Sequence, residues 1–350
     1  MTSIKEVVAT GTVRTSVVTA DPTRWARTGV WIAVALIVLL VPLLTDRITM
    51  RAVGDVAVFA VVIMSSNLLT GVTGQISLAQ GAFFGMGAYT TAMLVQNLDM
   101  SYWASLPIAV LVAATVGAIA GLPALRIAGL HLALVTLGLA LVFPTAILRL
   151  GDAGGGPAGL SVDKSLEMPP WFPFADSVWT YWVLAIVMLL VLLASHNLLK
   201  SRTGRTLFAI RDQPLLAAAL GTNVRVVKVV TFAGASGLAG LAGWMFTAQH
   251  HFVSPADFGV FLSLNILLAM TLGGAGTVAG PLLGAIFLRF IPDVSDAAGV
   301  PLILAPAVTG VILILALLFL PQGLAGIPSR VAELWRRFIR NRTAATGDRT

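Results

Sequence analysis

Residues 178–198 read VWTYWVLAIVMLLVLLASHNL, twenty-one residues without a lysine, arginine, aspartate or glutamate. No other feature constrains the fold as tightly. At 1.5 Å per residue such a run crosses the hydrocarbon core of a bilayer as a helix, and in lipid only a helix or a closed barrel satisfies its own backbone polar groups. Similar windows recur and give ten expected spans, at 30–45, 53–70, 78–98, 104–123, 129–148, 178–198, 229–249, 261–273, 279–292 and 301–320. The eighth and ninth are short. GGAGTVAGP (273–281) lies between them, and its glycines and proline argue against one continuous span. The composition agrees: 57% of residues are hydrophobic and 11% charged, where a soluble domain has roughly half and a quarter. The expected fold class is an all-α polytopic integral membrane protein. Residues 1–28 are too long and mixed for a signal peptide, and no small-residue cleavage site follows the first apolar run, so that run is read as a retained span.

The charge pattern orients the spans. With ten spans and the N-terminus inside, the outer side holds only Arg47, Arg51, Arg149, Lys164 and Arg289; the inner side holds the other 17 of the 22 basic residues. Ten of the 15 acidic residues fall outside. This is the positive-inside rule. It accounts for the net charge of +7 without a nucleic-acid partner. The expected organisation is a cytoplasmic tail over 1–28, a membrane domain over 29–326 and a basic cytoplasmic tail over 327–350.

Two connections are long. The outer one, 149–177, is broken by glycine and proline and ends in Trp171, Phe172 and Phe174, followed by Trp179, Tyr181 and Trp182. These rings fit an interfacial aromatic belt or a docking surface for an external partner. The inner one, 199–228, has local structure. Thr203 can cap a short helix running through Ile210. Asp212 or Gln213 can cap a second, with Pro214 at its first position and Gly221 as its stop. Apolar residues such as Leu207, Leu215 and Leu220 give it faces for a cytoplasmic partner or for the headgroup layer, and the pattern leaves both readings open.

Much chemistry is missing. There is no cysteine, and no histidine cluster has metal spacing; His250 and His251 are adjacent and diverge on a helix. GGAGTVAG lacks the G-K-[ST] ending of an ATP-binding loop. Asp55, Arg149 and Arg289 lie near outer ends, and no ionisable residue sits mid-span where a proton-coupled carrier would place one.

Glycine at helical spacing is abundant. Gly81 and Gly85, Gly117 and Gly121, and Gly276, Gly280 and Gly284 are four apart. GASGLAGLAG places Gly234, Gly237, Gly240 and Gly243 three apart, read as a ridge down one side of a helix. Such positions let helices approach closely. Gly87 is open between packing and flexibility. Around the join of the second and third spans, Asn67, Thr70, Thr73, Gln75, Ser77 and Gln80 add polarity, with Gly71 and Gly74 giving backbone freedom. Asn67, Gly71, Gly74, Gln75, Ser77 and Gln80 are therefore expected to line a polar path or a broken helix buried in protein.

GQISLAQGAFFGMGAY (74–89) resembles the motif G-Q-x-S-L-G-[HQ]-A-A-F-F-G-x-G-A-Y of the branched-chain amino acid permeases of ABC importers. SRTGRTLFAIRDQPLLAAALG (201–221) is similar to their long cytoplasmic loop, LGGAGTVAGPLLGA (272–285) to their G-G-x-G-T-x-x-G-P-x-x-G-A, and PQGLAG (321–326) to their exit from the last span. The segments occur in the family's order, and the arginine-rich loop favours the LivM-type subunit. Ala79 stands where the family usually has glycine and Gly81 where it has alanine; Pro214 and Ala218 replace glutamates.

The resemblance implies a permease that pairs with a sibling permease, two cytoplasmic ATPases and an external solute-binding protein in a bacterial-type plasma (inner) membrane. ATP is then used by partner subunits, with no cofactor and no catalytic site on this chain. It assigns the 199–228 loop to ATPase docking, with Arg202, Gly204, Arg205, Arg211, Asp212 and Gly221 as the matching set. Leucine, isoleucine and valine are the leading solutes, with urea or short amides as the rival within the family. A stand-alone ion-coupled carrier and a passive channel are rivals of another class.

Overall fold

A computed structural model of the chain describes residues 46–122, 130–170, 173, 175–297, 310, 323 and 324. The expected spans at 30–45 and 301–320 (Gly310 aside), both tails, and Trp171, Phe172 and Phe174 lie outside the described residues. The other eight expected spans are helices: α1 (Arg47–Ser66), α2 (Gln80–Gln96), α3 (Tyr102–Gly121), α4 (Leu130–Leu148), α5 (Asp176–Lys200), α8 (Val224–His250), α9 (Val260–Gly274) and α10 (Ala279–Ala297). Between α5 and α8 stand the short helices α6 (Arg202–Asp212) and α7 (Pro214–Ala219). Among the described residues, five helices are long and apolar enough to cross a membrane: α1 with the turn that follows it, α3, α4, α5 and α8. As expected, the glycine turn separates α9 from α10.

Helix α8 is the hub, packing against α1, α2, α3 and α5. Its backbone comes close because glycines oppose it. A Cβ on Gly87 would overlap the Gly240 carbonyl, one on Gly243 the Phe84 carbonyl, and one on Gly117 the Ser236 side chain. Gly87 is thus a packing position. Hydrogen bonds fix the register: the Trp244 indole donates to the Tyr102 carbonyl at 2.9 Å, and Thr247 to the Ala88 carbonyl at 3.0 Å. The expected single ridge of glycines on α8 is not what forms. Gly237 and Gly240 meet Ala114 and Ala113 of α3, Gly243 meets α2, and Gly234 faces open space. At 3.6 residues per turn a three-residue step falls about 60° short of a full circle, so three steps carry Gly243 to the side opposite Gly234.

The described ends of the helices differ in character. At one end, β1 (Leu160–Ser161) pairs antiparallel with β2 (Phe252–Val253), and the 149–177 connection folds back over the α2–α3 corner. Gln96 exchanges two hydrogen bonds with Asp163, Glu167 accepts from the Tyr102 amide, and Lys164 pairs with Asp99. The Trp179 indole donates to the Glu167 carbonyl, so its polar edge is spent inside the fold. At the same end Arg289 of α10 meets Asp55 of α1 at 3.2 Å and Asp293 at 2.8 Å. The opposite end carries α6, α7 and the candidate site.

Candidate functional site

Helix α1 does not stop at Ser66. It widens into a π-helical turn, Asn67–Val72, and breaks at Gly74, whose φ of 70° is a left-handed conformation natural to glycine. The break is held by its own polar residues. Thr73 donates to the Leu69 carbonyl at 2.6 Å, the Gln75 amide donates to the same carbonyl at 3.0 Å, and Thr70 donates to the Gln75 carbonyl at 3.1 Å. Because Gln75 reaches back to Leu69, the Gly71 carbonyl loses the partner that a continuing helix would give it.

Asn67 is the clasp. Its amide nitrogen donates to the Thr277 carbonyl at 2.8 Å, and its oxygen accepts from the Gly276 amide at 2.7 Å. One buried side chain thus closes a two-bond bridge to the turn between α9 and α10. Gly71 makes this possible: its own Cβ would strike the Asn67 oxygen and the Gly276 nitrogen. The turn is itself tight. Gly276 has a φ of 77°, and Thr277 donates to the Gly274 carbonyl while accepting from the Gly280 amide. Gly280 presses on Gly274, and Gly284 on the Ala269 carbonyl, so α9 and α10 meet backbone to backbone. Gly323 of PQGLAG is buried, and a Cβ there would meet Gly274.

The remaining path candidates lie beside this break. Gln75 donates to Thr73 and lies 3.5 Å from the Lys228 carbonyl at the start of α8; its own side-chain oxygen is buried without a hydrogen-bond partner among the described residues. Gln80 accepts from Ser65 at 2.9 Å, and its nitrogen is likewise unpartnered at 1% exposure. Ser77 accepts from the Ala79 amide at 3.4 Å. Gly81 donates its amide to Ser263 of α9. Gly85 abuts Phe143 and Phe258, within a cluster of edge-to-face rings that includes Phe84, Tyr89 and Phe246.

The 199–228 connection forms two helices, as expected, with one change of cap. Ser201, not Thr203, begins α6: it is extended, and its hydroxyl accepts from the Gly204 amide at 3.2 Å. It also donates to the Leu198 carbonyl at 2.7 Å, so one hydroxyl links the end of α5 to the start of α6. Gly204 is buried, and a Cβ would strike the Leu198 and Leu199 carbonyls. Gln213 holds the cap position of α7, with Pro214 at its first turn, and Gly221, at a φ of 87°, follows its end. Leu207 and Ile210 face inward. Leu215, Leu216 and Leu220 face out, at 87%, 54% and 79% exposure, and Leu216 and Leu220 line a shallow groove with Ala209, Asp212, Gln213 and Ala217.

The docking candidates divide. Arg202, Arg205, Arg211 and Asp212 are all exposed, and Arg205 donates to the Lys200 carbonyl at 3.1 Å. Arg211, 41% exposed and 3.9 Å from the Asp212 carboxylate, also reaches the broken end of α1: its guanidinium donates to the Gly71 carbonyl at 2.5 Å, and its stem lies against Gly74. The long-range partners of Asn67 and Arg211, and the role of Ser201, were not readable in the sequence, because each is a contact between segments or a choice between neighbouring caps. Four segments far apart in sequence meet at one end: the break after α1, the α6–α7 hairpin, the glycine turn and Gly323.

These are the segments that carry the motifs of a known family, and the whole-chain comparison agrees. The family model described as "Branched-chain amino acid transport system / permease component" matches residues 48–317. The chain belongs to this family. It is 29% identical over 319 residues to the high-affinity branched-chain amino acid transport system permease protein LivM of Escherichia coli K12, covering 83% of this chain and 73% of that one. It is 31% identical over 263 residues to the autoinducer 2 import system permease protein LsrC of Salmonella choleraesuis, covering 71% and 70%. No solved structure matches. As a permease of this family the chain is a multi-pass membrane protein, and its helical composition fits.

Proposed function

We propose that this permease is the membrane subunit of an ATP-driven importer for branched-chain amino acids, working by alternating access in a bacterial inner membrane. The observation that carries the reading is the exposed apolar face of α7, projecting from the end where the motif segments converge. An apolar surface of this kind marks an interaction site, and a separate ATPase is the partner an importer requires. The chain forms no bond of its own; it takes a sibling permease, two ATPases and an external binding protein as partners, and ATP is used on the ATPases.

Ten spans with both termini inside place the hairpin, the break and the glycine turn in or near the cytoplasm, and the β1–β2 end outside. In this arrangement Gln75 and Gln80, each with an unpartnered amide atom, are the path residues best placed to meet a polar solute. The LivM relatives favour leucine, isoleucine and valine as the solutes. The LsrC relatives favour a second reading, in which the solute is autoinducer 2.

The test is reconstitution of the full complex in vesicles with a radiolabelled panel of amino acids, urea and autoinducer 2. ATP-dependent uptake of leucine, isoleucine or valine is expected. Uptake that needs an ion gradient and no ATPase would make it a carrier, and downhill flux indifferent to ATP would make it a channel.

A further inference from the structure

We infer that Arg211 is the coupling residue of the α6–α7 hairpin: it acts on the broken end of α1, not on the partner that docks to the hairpin. The inference rests on reading 199–228 as the ATPase-docking loop, and it names how movement of that loop enters the membrane helices.

Three independent contacts carry it. The Gly71 carbonyl, left without an intrahelical partner by the turn at Gly74, is capped by the Arg211 guanidinium at 2.5 Å. Gly74 holds a φ of 70° with the Arg211 stem against it, its Cγ 3.1 Å from where a Cβ would stand. Gly276, at a φ of 77°, faces the same guanidinium at 3.4 Å and the Phe208 ring at 3.5 Å from its would-be Cβ. Arg211 thus lies against three glycines, Gly71, Gly74 and Gly276.

The geometry makes the guanidinium a node. It binds the last turn of α1. Asn67, one turn earlier, binds Gly276 and Thr277 between α9 and α10. A shift of α6 must either break the Arg211 bond, leaving a carbonyl without a partner, or carry the turn and its Asn67 clasp along. The π-helical segment is the element able to respond, because one residue of excess winding can be taken up or released without unfolding α1. The outward faces of the hairpin, Leu215, Leu216 and Leu220 with Arg202 and Arg205, stay free for a partner.

The experiment uses the whole complex in vesicles, with leucine as the probe, and measures ATPase capture in a pull-down alongside the ratio of leucine moved to ATP hydrolysed. Arg211→Gln is expected to leave capture at the wild-type level while the ratio falls about ten-fold. Arg211→Lys, which still offers one charged donor to the Gly71 carbonyl, is expected to recover part of the loss. Asn67→Ala disturbs the same node from the membrane side, leaves the hairpin untouched, and is expected to lower the ratio likewise. Loss of capture in Arg211→Gln would make Arg211 a docking contact and overturn the inference, as would a wild-type ratio in both Arg211→Gln and Asn67→Ala. Should Arg211→Gln fail to reach the membrane, Asn67→Ala and Arg211→Lys decide by the same ratio. ATP-independent uptake by the wild-type complex would overturn the importer reading itself.

Discussion

At the scale of single residues, the glycines of this chain are not equivalent. Gly85 is enclosed by Phe143 and Phe258, whereas Gly234 is exposed and faces open space. Gly85→Leu forces a four-carbon side chain into packed rings and should destabilise the protein by about 1–3 kcal/mol. Gly234→Ala removes a poor helix former without a clash and should stabilise α8 by up to about 1 kcal/mol. Thermal unfolding in detergent checks both, and a lower melting temperature for Gly234→Ala would show that a further chain covers that face. Helical spacing marked both as packing positions; Gly85 is one and Gly234 is not, because periodicity carries no information about the neighbouring helix. His251 is a second case. Burial first, and then the charges of His250 and Arg51, hold its imidazole pKa below the usual range, against a hydrogen bond at the Lys164 backbone that acts the other way. A depressed histidine is neutral in the fold. Its contribution to stability is therefore present above the ordinary histidine pKa and is lost as pH falls through the folded value. Stability should fall on acidification from about pH 7.5 to 5. The fall should be shallower in His251→Asn, which keeps a residue tolerant of the left-handed φ of 55°.

At the scale of elements, the hairpin divides into a face that holds and a face that waits. Gly204 and the Ser201 cap fasten α6 under α5, and α7 offers Leu216 and Leu220 to the solvent. Leu216→Glu with Leu220→Glu should abolish ATPase capture in a pull-down while leaving membrane insertion and thermal stability near wild type, because neither side chain is buried. Capture unchanged by the pair would move the docking surface elsewhere. The existence of α6 and α7, Pro214 at the start of α7 and Gly221 at its end were all legible from cap and stop residues. The bond from Arg211 to the broken end of α1 was not. Its partner is a carbonyl 140 residues away, freed only because α1 breaks where it does, and no local pattern reports a backbone oxygen without a partner.

At the scale of the whole molecule, two sets of described polar contacts stand at opposite ends of α1. The motif segments gather at one, and the β1–β2 pair with the Asp55–Arg289 ion pair at the other. On the proposed ten-span arrangement the count of basic residues would put the first in the cytoplasm, a reading made from sequence alone because charge asymmetry is a property of loops and needs no contact map. The two statements are independent, so one labelling experiment can test them together. The chain has no cysteine, so single cysteines can be introduced without a background. Asp152 and Leu220 are both exposed and lie in the two long connections. In intact cells a membrane-impermeant maleimide should modify Asp152→Cys and spare Leu220→Cys; in inverted vesicles the pattern should reverse. Modification of both from the same side would contradict the ten-span arrangement, since α5 alone separates them, and would leave the hairpin unable to meet a cytoplasmic ATPase.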